Sequence, residues 1–244
     1  MKSEWRRWIS HLKGDAFNPH WAAAFTSPVF PIRRALSCSI SDSAAQIQGD
    51  VLDFGCGSKP YRRWFTKARS YIGVDLHVSG HDHSSSSIDC FYDGRNLPFA
   101  DAQFDAVVAF EVFEHVSNLA EILLELRRVL RRPGRLLLSI PFLWPEHEQP
   151  FDHARYTTFG IADLLRGAGF TILELKKVNP GSAAIIQLLS FRIYQSVEKS
   201  PFVLRGMMQL FVIAPLTLLA LALKTRVKRD SDVFSNVVVM CEVR

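Results

Sequence analysis

The sequence contains no CxxC pair. Its four cysteines, Cys38, Cys56, Cys90 and Cys241, are widely scattered, which excludes a zinc knuckle or redox dithiol built on paired thiols. No signal-peptide pattern opens the chain, so these thiols are expected to be free in a reducing cytosol. The chain also lacks an arginine- and lysine-dense tract with interleaved aromatics. Its formal net charge of +5 is then a matter of solubility or of an anionic surface, and no nucleic-acid partner is expected. A long unbroken apolar run is missing too. Met207 to Leu223 is interrupted by Gln209, Pro215 and Thr217 and falls short of the about 20 apolar residues a spanning helix needs. Nor is the composition that of a disordered chain, since 48% of residues are hydrophobic and 22% charged. With 244 residues there is enough chain for one full-sized core.

What is present is an alternation of short apolar runs and helical periods. Val51–Phe54, Tyr71–Asp75, Ile88–Phe91, Phe104–Phe110 and Arg135–Ile140 read as buried strands. Leu119, Ile122, Leu123, Leu126 and Leu130 recur as one helix face, broken by Pro133-Gly134, and Phe159–Gly167 reads as a further helix. Such alternation predicts right-handed crossovers and a parallel sheet covered on both faces. Phe170–Val178 and Phe234–Val243 are two late strands, and the last, with no adjoining helix, is expected to insert antiparallel. The expected fold is a doubly wound, seven-stranded, mostly parallel α/β sheet with helices on both faces and a helical insertion between the last two strands. Residues 1–48 form an N-terminal helical or lid segment, beginning with an amphipathic helix over Met1–Gly14. Residues 49–181 and 230–244 form the core, and 182–229 an apolar helical insertion. Lys224, Arg226, Lys228 and Arg229 follow the apolar run Met207–Leu223 at the end of that insertion and suit anionic head groups, so a peripheral membrane contact is one reading of it and a buried helical pair the other.

Chemistry concentrates at the strand ends. Asp53 closes the first strand and is followed by Gly55-Cys56-Gly57-Ser58-Lys59-Pro60. Glycines at such a turn let a ligand or the next helix approach the backbone, and Pro60 can open that helix. Asp75 closes the second strand, where a carboxylate can accept both hydroxyls of a ribose. The position three beyond Gly57 is Pro60, so the third glycine of a dinucleotide fingerprint is missing.

The run Val51-Leu52-Asp53-Phe54-Gly55-Cys56-Gly57 resembles the first motif of the class I S-adenosylmethionine-dependent methyltransferases. The stretch Asp93 to Phe99 with Phe104-Asp105-Ala106-Val107-Val108, and the segment Glu111-Val112-Phe113-Glu114-His115-Val116, resemble later segments of the same family. The likeness extends from Asp50 through Phe170 and is nearest to the broad group acting on small molecules, lipids or quinones. It implies S-adenosylmethionine as cofactor, with Gly55, Gly57, Asp75, Leu76, Asp93 and Phe110 as contacts. Asp75 would hold the ribose, Leu76 would lie against the adenine ring, and Asp53 would support the methionine end through the turn. Either Asp93 or Asp89 would face adenine. The Asn/Asp-Pro-Pro-aromatic run of base-methylating enzymes is absent, since that place reads Phe110-Glu111-Val112-Phe113.

Transfer of a sulfonium methyl is an in-line displacement that depends on alignment and exclusion of water, with a general base needed only for a protonated acceptor. The loop Pro141–Tyr156 follows the fifth strand and holds two histidines, several acids, Arg155 and Tyr156. His147, then His153, are the candidates for acid–base or orienting work there, with Tyr156 and Arg155 placing loop or substrate; an equal alternative has Arg155 and Tyr156 stapling the loop to Glu146 or Asp152. His147, Asp152 and His153 carry metal-ligand chemistry in principle, but the transfer needs no metal and none is expected. The acceptor is expected to be a small, lipid-like molecule. Two other readings stand beside this one, a catalytically silent methyltransferase-like scaffold and a nicotinamide-dependent oxidoreductase.

Overall fold

In the computed structural model the described residues are 17–77, 87–224 and 232–243. The expected helix at Met1–Gly14 and most of the basic cluster at 224–229 lie outside them.

Seven strands form one sheet in the order β3-β2-β1-β4-β5-β7-β6, with β1 Gly49–Phe54, β2 Ala68–Leu76, β3 Cys90–Tyr92, β4 Phe104–Phe110, β5 Leu130–Pro141, β6 Phe170–Pro180 and β7 Phe234–Val243. β1 pairs in parallel with both β2 and β4, β2 with β3, and β4 with β5. The last strands are antiparallel, as expected, and helices flank the sheet. Order reverses between β1 and β4, the switch point at which open α/β sheets take ligands outside the strands' carboxyl ends. Val51, Leu52, Val107, Val108 and Leu136–Leu138 are fully buried in the central strands, which is why those runs are apolar at every position and not at alternate ones.

Helix α1 spans Phe30–Ala44, α2 Leu119–Val129, α3 Thr158–Gly167 and α4 Ser182–Val197; α5 Phe202–Met208 continues through a π-turn at Gln209–Ile213 into α6 Ala214–Lys224. The buried stripe of α2 is Leu119, Ile122, Leu123, Leu126 and Val129. The Thr157 side chain caps α3 by accepting from the Gly160 amide at 3.0 Å, the ordinary job of an N-cap threonine.

Three local expectations are corrected. Pro133-Gly134 does not end the helix before β5. The helix stops at Val129, Leu130 already pairs with Phe104, and residues 131–134 bulge out before pairing resumes at Ala106 and Arg135. Pro60 opens no α-helix, for only a 3-10 turn at Arg62–Trp64 lies between β1 and β2. The third strand starts at Cys90, not Ile88, because the Asp89 side chain is turned back to the Gly73 amide. The apolar run around Pro215 also proves continuous. A proline cannot bond to, and crowds, the carbonyl four residues earlier, and the π-turn just before it relieves that conflict without breaking the helix.

By contacts the chain divides into two compact units, Ser39–Lys176 with Val237–Arg244, and the segment up to Cys38 with Lys177–Asn236. The first contains the central strands. In the second, α4 buries Ala183, Ala184, Gln187 and Ser190, and the Asn179 amide nitrogen bonds to Gln187 at 3.0 Å and to Ser235 at 2.9 Å.

Candidate active site

The candidate site lies within the first unit, at the carboxyl ends of β1 to β5. The turn after β1 is built on left-handed backbone, with φ of 68° at Gly55 and 46° at Gly57. The two glycines serve different needs. A Cβ on Gly55 would lie 2.5 Å from the Val112 side chain, whereas a Cβ on Gly57 would point into open space. The Gly55 and Cys56 amides both donate to the Val74 carbonyl, which ties the turn to β2. Asp75 then completes it, accepting from the Gly57 amide at 2.9 Å and the Leu76 amide at 2.8 Å.

Asp53 lies beneath this turn and is almost wholly buried. Burial raises its pKa to about 7, against the opposing effects of the Tyr71 hydroxyl and nearby Lys59. Tyr71 donates to Asp53 Oδ2 at 2.8 Å, and the same burial, with the Asp53 charge, pushes the Tyr71 hydroxyl far up. In the sequence Tyr71 stands out only as the start of a strand, not as a site residue. Its signal was strand parity: Tyr71 pairs with Val51, so it shares a sheet face with Asp53 two residues on.

The two acids considered for adenine have different surroundings. Asp89 is held by the Gly73 amide at 2.6 Å and by an ion pair with the buried Lys59 ammonium. Burial alone would raise its pKa, and these two contacts lower it instead. Asp93 follows β3 directly and is exposed. It accepts from the Asn96 and Arg95 amides at 2.7 and 2.8 Å, which keep it ionised more readily than usual. The Asp93-Gly94 turn adjoins Leu76, whose Cδ2 would be 3.4 Å from a Cβ on Gly94. Asp75, Leu76 and Asp93 are thus brought to neighbouring strand ends. Phe110, half-buried at the end of β4, meets Tyr61 edge-on at 5.0 Å. Asp105 contributes at the opposite end of the strands, accepting from the Asp50 amide at 2.7 Å and pairing with Arg131 at 2.9 Å.

The loop after β5 is organised by Asp152. This buried carboxylate takes both arms of Arg155, and also accepts from the backbone and from Nδ1 of His147, each at 3.0 Å. Burial would raise its pKa, but Arg155 and the His147 amide hold it well below the usual range. Arg155 also reaches the carbonyls of Ala154, Pro145 and Trp144, so it does staple the loop, through Asp152. His147 comes to lie against His115, ring centroids 5.0 Å apart. His153 does not join them: its side chain is exposed, and its amide donates to the Glu114 carbonyl at 2.8 Å. Tyr156 is half-buried, its hydroxyl pKa raised by burial and then by the Glu114 charge.

Glu114 is the residue whose position the sequence could not disclose. It follows β4 in a 3-10 turn at Phe113–His115 and is 1% exposed. Neither carboxyl oxygen has a hydrogen-bond partner. Burial, and secondly the charge of Glu111, drive its pKa well above the ordinary value. Burial likewise lowers the pKa of His115.

The arrangement fits S-adenosylmethionine. Open space over Gly57, a carboxylate at the end of β2 locked beside that glycine, and a second acid with an apolar side chain at the adjoining strand ends are what a nucleoside carrying a short charged tail requires. Comparison with known proteins agrees. Residues 52–138 match the methyltransferase domain family. A malonyl-[acyl-carrier protein] O-methyltransferase of Erwinia pyrifoliae is 35% identical over 94 residues, 36% of this chain and 36% of that one. A probable S-adenosylmethionine-dependent methyltransferase of Mycolicibacterium smegmatis is 32% identical over 144 residues, 54% of this chain and 56% of that one. This chain therefore spans about a third and just over half of those two relatives' lengths. Among solved structures, the [4+2]-cyclase SpnF superposes with a TM-score of 0.54 at 17% identity, over 84% of this chain and 80% of its own. That likeness is one of fold.

Proposed function

Because the chain belongs to the class I S-adenosylmethionine-dependent methyltransferases, we propose that it transfers the methyl group of that cofactor to a small, lipophilic acceptor. The observation that carries the cofactor half is the pairing of Asp75 with the Gly57 amide at 2.9 Å, at a glycine with open space over its Cα. Asp75 would take the ribose hydroxyls, Leu76 an adenine face and Asp93 the adenine amino group, with Phe110 a further cofactor contact. Asp89 is assigned instead to holding Lys59 behind the glycine turn. Asp53 supports the methionine end through the turn that it underlies. The cofactor supplies an already activated methyl, so the chain's own work is to align an acceptor and keep water out. His147, positioned by Asp152, is the group on hand to take a proton from an acceptor that arrives protonated, and Tyr156 and Arg155 shape the loop around it.

The lipophilic half rests on the second unit. The continuous helix Phe202–Leu223 has the length and composition to cross a membrane, with only 22% of its most apolar window buried. Phe202, Val203, Met207, Leu210 and Phe211 are all more than half exposed. Arg205 stands among them and Lys224, Arg226, Lys228 and Arg229 follow. An apolar face beside cations suits shallow insertion into an anionic lipid surface on the cytoplasmic side, where a lipid-like acceptor would be met.

Calorimetric titration with S-adenosylmethionine, and separately NADH, tests the first half. Binding of the former, weakened at least tenfold in Asp75→Ala, supports it; binding of NADH alone would overturn it. Binding with no turnover on lipid extracts would favour a silent scaffold. Flotation with vesicles tests the second half. Recovery with phosphatidylserine-containing vesicles, lost in Phe202→Asp/Phe211→Asp, supports surface binding, and equal behaviour of both proteins overturns it.

A further inference from the structure

The buried Glu114 carboxylate with its unpartnered oxygens sits beside two imidazoles already committed to one tautomer. His115 Nδ1 is 3.1 Å from the Phe151 carbonyl oxygen, which can only accept, so Nδ1 carries the proton. His147 Nδ1 is 3.0 Å from Asp152 Oδ2, a carboxylate kept ionised by Arg155, and the same conclusion holds. In the neutral form of each ring the lone pair is therefore on Nε2. Those two atoms are turned inward: His115 Nε2 lies 3.7 Å from Glu114 Oε1 and 3.5 Å from Glu148 Oε2, and His147 Nε2 lies 4.0 Å from Glu148 Oε1.

We propose that Glu114, His115 and His147 form a binding site for a divalent first-row transition-metal cation. One ligand atom from each residue lies within 4.8 Å of the others. Ligands about 2.0–2.1 Å from a tetrahedral zinc stand about 3.3 Å apart, so side-chain rotations that draw the group together by up to about 1.5 Å complete the site. Glu148, at the mouth of the cluster, provides a fourth oxygen or holds a water. Two carboxylates and two neutral imidazoles around a dication sum to zero charge, which suits a buried position. Imidazole nitrogens select zinc, iron, cobalt or nickel over magnesium and calcium. The outer contacts are also those of a metal centre, since ligating histidines usually give their second N–H to a carboxylate or a carbonyl, as His147 and His115 do here.

A metal held there would occupy the His147 Nε2 lone pair in place of the proton-accepting role proposed above, but the site does not depend on the cofactor reading, and one set of experiments separates them. The full chain, stripped with a chelator, is titrated with zinc and, as a spectroscopic probe, with cobalt(II), and in parallel with S-adenosylmethionine. One equivalent of zinc, and a visible cobalt spectrum with nitrogen–oxygen ligation, are expected. His115→Ala, His147→Ala and the nearly isosteric Glu114→Gln should each weaken zinc at least tenfold, while His153→Ala, which alters an exposed neighbour, leaves it unchanged. Circular dichroism of each variant identifies any that fails to fold; Glu114→Gln, which keeps the side chain's shape but cannot supply an anionic ligand, then decides. Zinc binding that is absent, or that is the same in Glu114→Gln and His147→Ala as in the native chain, overturns the site whatever S-adenosylmethionine does. Loss of S-adenosylmethionine binding with zinc retained overturns the cofactor reading and leaves the metal site standing.

Discussion

Tyr71 donates its hydroxyl proton to Asp53 Oδ2 at 2.8 Å, and the acceptor is a carboxyl that burial has moved to a pKa of about 7. In the unfolded chain this group titrates near 3.8. The folded protein therefore holds a proton that the unfolded chain releases between roughly pH 4 and 7. Stability from this source is fully present below pH 4 and is lost as pH rises through 7. Asp53→Asn keeps an acceptor for Tyr71 and removes the titration. The melting temperature of the variant minus that of the native chain should climb from pH 4 to 7 and level off above, corresponding to a few kcal/mol in all. A flat difference curve would show that Asp53 titrates normally.

The two glycines of the turn should fail in different ways. Gly55→Ala places a methyl against Val112 in left-handed backbone, and overpacking of this kind adds about 1–3 kcal/mol to the conformational cost. Gly57→Ala meets no atom within 4 Å, so the fold loses only about 1–2 kcal/mol while a methyl enters the open space over the turn. Thermal melts and S-adenosylmethionine titration should show the first variant damaged mainly in stability and the second mainly in binding. The reverse pattern would place the cofactor elsewhere.

Asp89 and Asp93 can be told apart by the same pair of measurements. Asp89→Ala leaves the Lys59 ammonium, which is 5% exposed, without its anion, and lost charged hydrogen bonds cost roughly 2–3 kcal/mol. Asp93→Ala removes an exposed turn acid at the end of β3 and should be mild in stability but weaken the cofactor several-fold. If Asp89→Ala is the variant that folds normally and binds poorly, the assignment of the adenine acid is exchanged.

These pairs show where sequence and structure part. The strand ends at Asp53 and Asp75 and the whole of β4 were legible because a buried parallel strand must be apolar along its length, so the first carboxylate after it marks the sheet's edge. The start of β5 was not, because Leu130 belongs by period to the helix and by pairing to the strand. The continuity of the helix through Pro215 depended on a π-turn, which leaves no trace in composition. Within the site, the residue types of the loop after β5 were visible, but its partners were not. That Asp152 takes His147 and Arg155 at once, and that His153 points outward while Glu114 and His115 turn in, are long-range outcomes of how two loops meet.

Arg155 and Asp152 give the last test. The carboxylate is 3% exposed and receives both arms of the guanidinium. Removing one partner of a buried pair leaves an uncompensated charge and costs about 3–5 kcal/mol, so Arg155→Ala should melt markedly lower. Arg155→Lys restores the charge without the planar fork, and because Arg155 also binds the carbonyls of Pro145 and Trp144, the lysine should recover part of the stability but little of the loop geometry. Were Arg155 only a surface ion pair, both variants would melt within about 1 kcal/mol of the native chain. A stability loss in Arg155→Ala, partly rescued in Arg155→Lys while turnover with the eventual acceptor stays low in both, would instead identify the arginine as the residue that positions His147.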